Sequence, residues 1–289
     1  MKILIYGAGV IGSLYASLLS EAGYNVSVYA RGKRLESLRN NGLLYKKNNK
    51  IKAANVSVVS TIRYDDLYDY VFLTVRETQL LVALEELKDN ISPTIVTMVN
   101  SPDSYDEWEA ICGKGRILPA FPGAGGGLEN DVLDAALTPW IIQPTTIGRT
   151  DGREKQLAAI FKKAHIPCQI VEDMHAWQVC HLGMVVPIAD AYYRSDEPKY
   201  CGRDYRLMKA TAGQIKENFQ RISARGIKLS PAKMNCFKVL PIPLVALLLG
   251  FVFRSRFGDR FMYQHSMKAP DEMKRLHEKF YSYLETPNK

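Results

Sequence analysis

The chain has 289 residues and a mass of 32.6 kDa, which is the length of about two ordinary domains. Hydrophobic residues make up 47% and charged residues 24% of the sequence, which excludes a disordered or fibrous chain. The net charge of +8 is concentrated after residue 170, where 19 Lys and Arg face 12 Asp and Glu. There is no long basic run and no aromatic-interleaved RNA-binding motif, so the charge favours an anionic small molecule over nucleic acid as the ligand.

The cysteines and the N-terminal sequence favour a reducing compartment. The five cysteines are scattered and include no C-x-x-C pair, so we expect neither a disulfide framework nor a metal site. The N-terminal MKILIYGAG has too short an apolar run for a signal peptide and is predicted to be a strand. The cytoplasm is the expected compartment.

The longest apolar stretch is the fifteen-residue segment Val239 to Phe253. A membrane-spanning helix needs roughly 20 apolar residues, and this segment contains Pro241 and Pro243. We therefore expect a buried helix or an oligomer contact beginning near Pro243, and no membrane span. The arginines that follow leave a membrane-surface role open, and the apolar helix at 244–253 favours a homodimer over a monomer.

The first half alternates between the periodicities of strands and helices. Strands are predicted at 2–6, 25–30, 69–75, 94–99 and 116–120, and helices at 11–22, 33–41, 77–88 and 104–111. Two short strands are predicted within 43–60, a loop at the glycine-dense 121–128, a strand-like segment at 139–147, a helix at 152–164 and an edge strand at 168–171. Such alternation predicts a doubly wound, mainly parallel α/β sheet with helices on both faces.

The periodicity changes at about residue 172. Apolar residues recur at helical spacing over 173–193, 203–226, 244–253 and 268–285, which predicts an all-helical second domain. The predicted domains are residues 1–170 and 171–289. Because no flexible linker separates them, we expect the domains to pack closely around a cleft.

A glycine motif follows the first predicted strand and opens the first predicted helix. Residues Gly7, Ala8, Gly9, Val10, Ile11 and Gly12 match G-x-G-x-x-G. The first glycine permits a tight turn, the second lets a pyrophosphate approach the backbone, and the third lets helix and strand pack closely. In this context the motif predicts a Rossmann-type dinucleotide site at a helix N-terminus. The alternative is a glycine turn without a ligand.

The end of the second predicted strand indicates which dinucleotide binds. An acid there would favour NAD, but this sequence has Arg31 and no acid before Glu36. A guanidinium can pair with a 2′-phosphate, so NADP is favoured over NAD and FAD. The alternative reading of Arg31 is a solvated surface arginine.

With these motifs in place, the sequence resembles the ketopantoate reductase (2-dehydropantoate 2-reductase) family. The resemblance rests on GAGVIG, Arg31, VRETQ at 75–79 and VN at 99–100, and it is looser after residue 170. It implies reduction of a 2-keto acid to the 2-hydroxy acid with NADPH, in a cleft between two domains. It also implies a monomer or a dimer.

The resemblance assigns further roles in the first domain. Arg76 and Gln79 stand where the family has Lys-x-x-Gln, so Arg76 would help to bind the cofactor's phosphate. Asn100 matches the family asparagine that holds the nicotinamide ribose and positions the substrate, although Ser101 replaces the glycine that usually follows. The alternative reading of Asn100 is a turn residue before Pro102.

The second domain departs from the family pattern. Alignment on Pro187 places Gln178 at the catalytic lysine, and Leu182 and Val186 at two substrate-binding asparagines. An amide cannot act as a general acid near neutral pH. The two apolar replacements predict a more apolar cleft and a bulkier or less polar substrate than ketopantoate.

Other groups in the second domain could replace the missing acid. His181 lies three residues after Gln178 on nearly the same helical face, and His175, Lys268 and Lys274 are further candidates.

The late segment around DEM at 271–273 resembles the family's substrate-facing region. It maps Ser266 onto a residue that hydrogen-bonds the substrate, and Glu272 onto one that holds the substrate hydroxyl or the ribose. The alternative for Glu272 is a helix N-terminal acid after Pro270.

Three functions remain open from the sequence. The favoured one is an NADPH-dependent reductase of a small carbonyl compound. The second is an NADP-binding sensor or partner-binding protein that has lost its chemistry, as the absent lysine suggests. The third is another class of two-domain dehydrogenase, such as the opine or 3-hydroxyacid dehydrogenases.

Overall fold

The computed structural model describes residues 1–286 and divides into two compact units. The first unit consists of residues 1–99 and 103–174, and the second of residues 100–102 and the chain from His175 onward. Each unit contains its own buried apolar core.

The first unit contains the twelve strands of the described chain and five α-helices. Its strands are β1 (Lys2–Tyr6), β2 (Asn25–Tyr29), β3 (Leu43–Lys47), β4 (Lys50–Ala54), β5 (Ser57–Val59), β6 (Tyr70–Leu73), β7 (Ile95–Thr97), β8 (Ile117–Phe121), β9 (Ala124–Glu129), β10 (Val132–Leu137), β11 (Thr145–Gly148) and β12 (Cys168–Val171). Its helices are α1 (Val10–Glu21), α2 (Gly32–Asn41), α3 (Leu80–Leu87), α4 (Tyr105–Cys112) and α5 (Arg153–Lys163).

Eight of these strands form one sheet in the order β12-β11-β8-β7-β6-β1-β2-β5. All neighbours pair in parallel except β11, which runs antiparallel to β8. Helices α1 and α5 pack on one apolar core, while α3 and α4 pack on another core that shares the same central strands. The predicted doubly wound α/β sheet is thereby confirmed, and β12 is the expected edge strand.

The glycine-dense segment 121–128 corrects the sequence prediction, because it is not a loop. Residues Ala124–Glu129 form β9, which pairs antiparallel with β10 and belongs to a four-stranded sheet with β3 and β4. Gly126 has φ of 151°, and a Cβ there would lie 2.3 Å from the Asp134 carbonyl oxygen. The glycine therefore permits close approach of two strands.

Two further strand predictions differ from the structure. The segment 43–60 contains three strands, and the third, β5, joins the main sheet beside β2. In 139–147 only the end is a strand, because residues 139–142 form a turn that exposes Trp140 and Ile141.

The second unit is helical, as predicted. Its helices are α6 (Met174–Tyr193), α7 (Tyr205–Ala224), α8 (Cys236–Val239), α9 (Ile242–Phe253), α10 (Gln264–Lys268) and α11 (Pro270–Glu285), joined in part by short 3-10 and π turns. Helix α9 buries one face, including Val245 and Phe253, but exposes Leu247 and Phe251 by 53% and 65%. Among residues 1–286, each helix is too short or too polar to span a lipid bilayer.

Candidate functional site

The glycine motif forms the turn between β1 and α1, as its sequence context predicts. Gly7 has φ of 113°, and a Cβ there would lie 2.9 Å from the Thr74 carbonyl oxygen. A Cβ on Gly12 would lie 1.9 Å from the Gly7 carbonyl oxygen. The fold itself therefore requires glycine at both positions, whether or not a ligand binds.

Gly9 differs from the other two glycines of the motif. A Cβ added there would meet no heavy atom within 4 Å, and its φ of −74° suits any residue. Gly9 is the N-cap of α1 and supplies no side-chain hydrogen bond, while the first turn of the helix contains no acid. Open space beside uncapped amides at a helix N-terminus suits a diphosphate, so these residues fit the dinucleotide that the motif predicts.

Two side chains that the sequence interpretation did not single out brace this turn. The Thr74 hydroxyl donates to the Gly7 carbonyl oxygen at 2.9 Å. Arg34 donates from Nε to the Ala8 carbonyl oxygen at 3.1 Å and from Nη2 to the Ser13 hydroxyl at 3.3 Å. Ala8 is buried, and Val10 and Ile11 are half-buried against the core of the unit, so the turn is fixed by packing as well.

Arg31 lies directly after β2 at the N-cap of α2, but it has a carboxylate partner. Its Nη1 donates to Glu86 Oε1 at 2.8 Å, and its guanidinium carbon lies 5.8 Å from the centre of the Tyr29 ring. Glu86, on α3, also accepts hydrogen bonds from the hydroxyls of Tyr29, at 3.3 Å, and Tyr6. Burial, together with the adjacent Glu86 carboxylate, raises the pKa of both tyrosine hydroxyls.

Arg76 and Gln79 lie just after β6 and are exposed. Strand β6 pairs in parallel with β1, with Leu73 opposite Tyr6, so Arg76 follows β6 at the same edge of the sheet as the glycine turn. Within residues 1–286 no ion pair engages the Arg76 guanidinium. The binding of the cofactor's phosphate by Arg76 stays a prediction.

Asn100 follows β7 by three residues and carries a buried polar atom. Its Oδ1 is buried and accepts no hydrogen bond from the residues that the structure describes. Buried polar atoms are normally paired, because leaving one unpaired costs about 1–3 kcal/mol. An acceptor in this state is suited to a hydroxyl or amide donor of a bound molecule.

Helix α6 contains the two residues predicted nearest to the chemistry. Gln178 is completely buried. The His181 ring stacks on Trp177, with centroids 5.1 Å apart and an interplanar angle of 9°. Burial, with a further contribution from His265, lowers the pKa of His181 to about 3. His181 is therefore neutral at pH 7, which disfavours it as a proton donor.

The positions assigned to the family's asparagines are core positions. Leu182 and Val186 are both completely buried in the apolar core of the helical unit. Neither presents a surface to a ligand within that unit, because neighbouring apolar side chains surround both. These two core residues therefore do not support the prediction of a more apolar cleft and a bulkier substrate.

The late segment places its candidates on two helices. Ser266 is buried in α10, and its carbonyl oxygen accepts a hydrogen bond from the Tyr193 hydroxyl at 2.6 Å. Glu272 lies in the first turn of α11 after Pro270, which is the position that the alternative reading describes. Lys268 and Lys274 are exposed. Their parts in a reaction remain predictions.

An Asp–His pair in the helical unit was missed by the sequence interpretation. His277 Nδ1 lies 2.9 Å from Asp190 Oδ2, and Asp190 is largely buried. Burial raises the pKa of Asp190, while His277 opposes that shift. A carboxylate on one ring nitrogen orients the imidazole and leaves the other nitrogen to exchange a proton. The partners are 87 residues apart, so no spacing signal in the sequence could reveal them.

Comparison with known proteins finds relatives of one enzyme family. A family model described as Ketopantoate reductase PanE/ApbA matches residues 3–150, about half of the chain. The 2-dehydropantoate 2-reductase of Pyrococcus abyssi is 28% identical in an alignment 188 residues long, and this alignment covers 61% of this chain and only 58% of that protein.

Solved structures show the same fold over nearly the whole chain. A PanE/ApbA family ketopantoate reductase from Ralstonia eutropha has a TM-score of 0.67 and 16% identity, with 98% of each chain covered. D-mandelate dehydrogenase, solved with NADH and anilino(oxo)acetate, has a TM-score of 0.64 and 16% identity, also with 98% of each chain covered. At this identity the two structures establish the fold and not the activity.

Proposed function

The chain belongs to the ketopantoate reductase family, and we propose that it reduces a small carbonyl compound of the 2-keto acid class with a nicotinamide dinucleotide, preferably NADPH. The observation that carries this proposal is the open space at Gly9 beside the uncapped N-terminus of α1. The fold needs no glycine there, whereas a diphosphate lying against the backbone does.

In this proposal the glycine turn, two arginines and Asn100 bind and orient the dinucleotide. The amides of α1 and the glycine turn bind the diphosphate, and Arg31 and Arg76 bind the 2′-phosphate and neighbouring phosphate oxygens. Gln79, whose backbone amide donates to the Arg76 carbonyl oxygen at 2.9 Å, lies at the same edge. Asn100 Oδ1 accepts a hydrogen bond from the ribose or from the substrate, which satisfies its buried oxygen. When bound, the reduced nicotinamide supplies the hydride that a carbonyl carbon accepts.

The candidates for proton transfer and for contacts to the substrate are residues of the helical unit. Gln178 cannot donate a proton as an acid, and His181 is neutral at pH 7, so neither replaces the family lysine by simple acid catalysis. A water molecule or His277, oriented by Asp190, is the proposed donor. Ser266 and Glu272 are proposed to bind substrate oxygens. The loss of the lysine argues that ketopantoate is not the preferred substrate.

The second candidate function is an NADP-binding sensor or partner protein without turnover. Gln178 favours it, because this residue is a buried amide at the position that the resemblance assigns to the family's catalytic lysine. Both functions require the dinucleotide to bind, so binding alone does not separate them.

The test is steady-state oxidation of NADPH and NADH with a panel of aliphatic and aromatic 2-keto acids, ketones and aldehydes. Aromatic 2-keto acids are included because the structural relative D-mandelate dehydrogenase was solved with anilino(oxo)acetate. We expect turnover with at least one 2-keto acid, and faster turnover with NADPH. Tight binding without turnover on any compound would support the sensor, and absence of dinucleotide binding would overturn both functions.

The proton donor is tested separately with two histidine variants. In this proposal His277→Gln lowers kcat by about tenfold or more while the Kd of the dinucleotide stays unchanged. His181→Ala, in contrast, keeps at least half of the wild-type kcat in protein that remains folded. A normal kcat in His277→Gln would assign the proton to water.

A further inference from the structure

Four polar side chains of the first unit converge where Arg31 follows β2. The Glu86 carboxylate accepts from Arg31 Nη1 at 2.8 Å, from the Tyr29 hydroxyl at 3.3 Å and from the Tyr6 hydroxyl. The Tyr6 and Tyr29 rings lie 4.6 Å apart between centroids and support each other. Glu86 thus has three donors and is held in one place on α3.

The position of Glu86 matters because Arg31 is the cation proposed for the cofactor's 2′-phosphate. We propose that Glu86 is a specificity-determining residue that limits the preference for NADP over NAD. This inference rests on the proposed function, because it requires the dinucleotide to bind at the glycine turn.

Two physical effects give Glu86 this role. The carboxylate and the 2′-phosphate compete for the same guanidinium, so a phosphate gains less from Arg31 than it would from an unpaired arginine. The carboxylate also repels a phosphate dianion that approaches the same guanidinium. Neither effect acts on NAD, which has a neutral hydroxyl at that position.

The two tyrosines keep the Glu86 carboxylate in position to compete with the 2′-phosphate for Arg31. A surface carboxylate on a flexible side chain would turn away at little cost, since exposed ion pairs contribute only about 0–1 kcal/mol. Here the hydroxyls of Tyr6 and Tyr29 hold Glu86 even if Arg31 leaves it. Arg31 is half exposed and can swing between the carboxylate and a phosphate, whereas Glu86 stays.

The same helix provides a matched control. Glu85 is the adjacent residue, is exposed, and pairs with Lys88 rather than with Arg31. Glu85→Gln removes the same charge as Glu86→Gln from α3 without touching Arg31 or the tyrosines. A change confined to Glu86→Gln therefore reports the local competition and not the net charge of the unit.

The experiment measures the Kd of NADPH and of NADH by calorimetry for wild type, Glu86→Gln and Glu85→Gln, at low and high salt. We expect Glu86→Gln to lower the Kd of NADPH about three- to tenfold and to leave the Kd of NADH within about twofold of wild type. Much of the gain in affinity for NADPH should be lost at high salt. Glu85→Gln should leave the ratio of the two Kd values unchanged. The thermal midpoint of each variant shows that the unit remains folded.

Failure of this inference can be told apart from failure of the proposed function. If wild type binds neither dinucleotide, the proposed function fails. If wild type binds both, and Glu86→Gln leaves the ratio unchanged or weakens NADPH, the inference about Glu86 is wrong while the proposed function stands. Arg31→Ala is a further control, because it should raise the Kd of NADPH and leave the Kd of NADH unchanged.

Discussion

The two units of this chain differ in what holds their candidate functional groups. In the first unit the central features are backbone features, namely a turn at Gly7, open space at Gly9 and the amides of α1. In the second unit they are side chains such as Asp190 and His277, which lie on two helices that are far apart in the sequence and in contact in the structure. A site made of backbone can be read from a short motif, whereas a site made of side chains depends on tertiary packing.

If the backbone turn holds the first unit in this way, Gly12→Ala should have the largest effect on stability. Its Cβ would lie 1.9 Å from the Gly7 carbonyl oxygen, so α1 would have to move away from β1. We expect a loss of about 3 kcal/mol or more in the free energy of unfolding, at the upper end of overpacking effects. Urea denaturation measures it. A loss below about 1 kcal/mol would show that the turn is looser than described.

A smaller effect is expected from His181 when the pH is lowered. Burial keeps the folded pKa at about 3, whereas an unfolded histidine binds a proton below about pH 6.5. Between these values only the unfolded state is protonated, so stability falls as the pH falls, by at most about 1.4 kcal/mol per unit.

The measurement compares the free energy of unfolding at pH 7 and pH 5 in wild type and in His181→Gln. Wild type should lose about 1–2 kcal/mol more than the variant over this interval. His165→Asn is the control, because His165 is exposed and its φ of 55° is one that asparagine tolerates. The same pH dependence in wild type and His181→Gln would mean that His181 is solvated.

The smallest effect is expected from a glycine of the helical unit. Gly213 lies inside α7, and a Cβ added there would meet nothing within 4 Å. Gly213→Ala should therefore stabilise the protein by about 0.5–1 kcal/mol, because alanine favours helix and restricts the unfolded chain. Thermal unfolding measures the gain. A lower free energy of unfolding in this variant would show that another group packs against Gly213.

Much of the first unit could be predicted from sequence because its signals are local. The alternating apolar strands and helices predicted a doubly wound, mainly parallel sheet, and the motif at 7–12 located the turn after the first strand. The glycine segment after β8 was misread, because a run of glycines usually indicates a loop and nothing local reveals the partner strand. Arg34 and Glu86 were missed because their contacts cross 26 and 55 residues of sequence.

In the second unit the helices could be predicted and the chemistry could not. Apolar periodicity located α6, α7, α9 and α11 to within a few residues. It did not distinguish a helix face in the core from one facing a ligand, so Leu182 and Val186 were interpreted as cleft residues. The environment of His181 depends on Trp177 and His265, and the latter is distant in the sequence.

Whether the open space at Gly9 receives a diphosphate is tested by the affinity of Gly9→Ala for NADPH and NADH, measured together with the stability of the variant. The new methyl group enters open space, and the cost of alanine at the N-cap is offset by its more restricted unfolded chain, so the free energy of unfolding should change by less than about 1 kcal/mol. Both dinucleotides should bind about tenfold more weakly or worse, because the methyl group occupies the path of the diphosphate. Unchanged affinity for both dinucleotides in the folded variant would contradict the account.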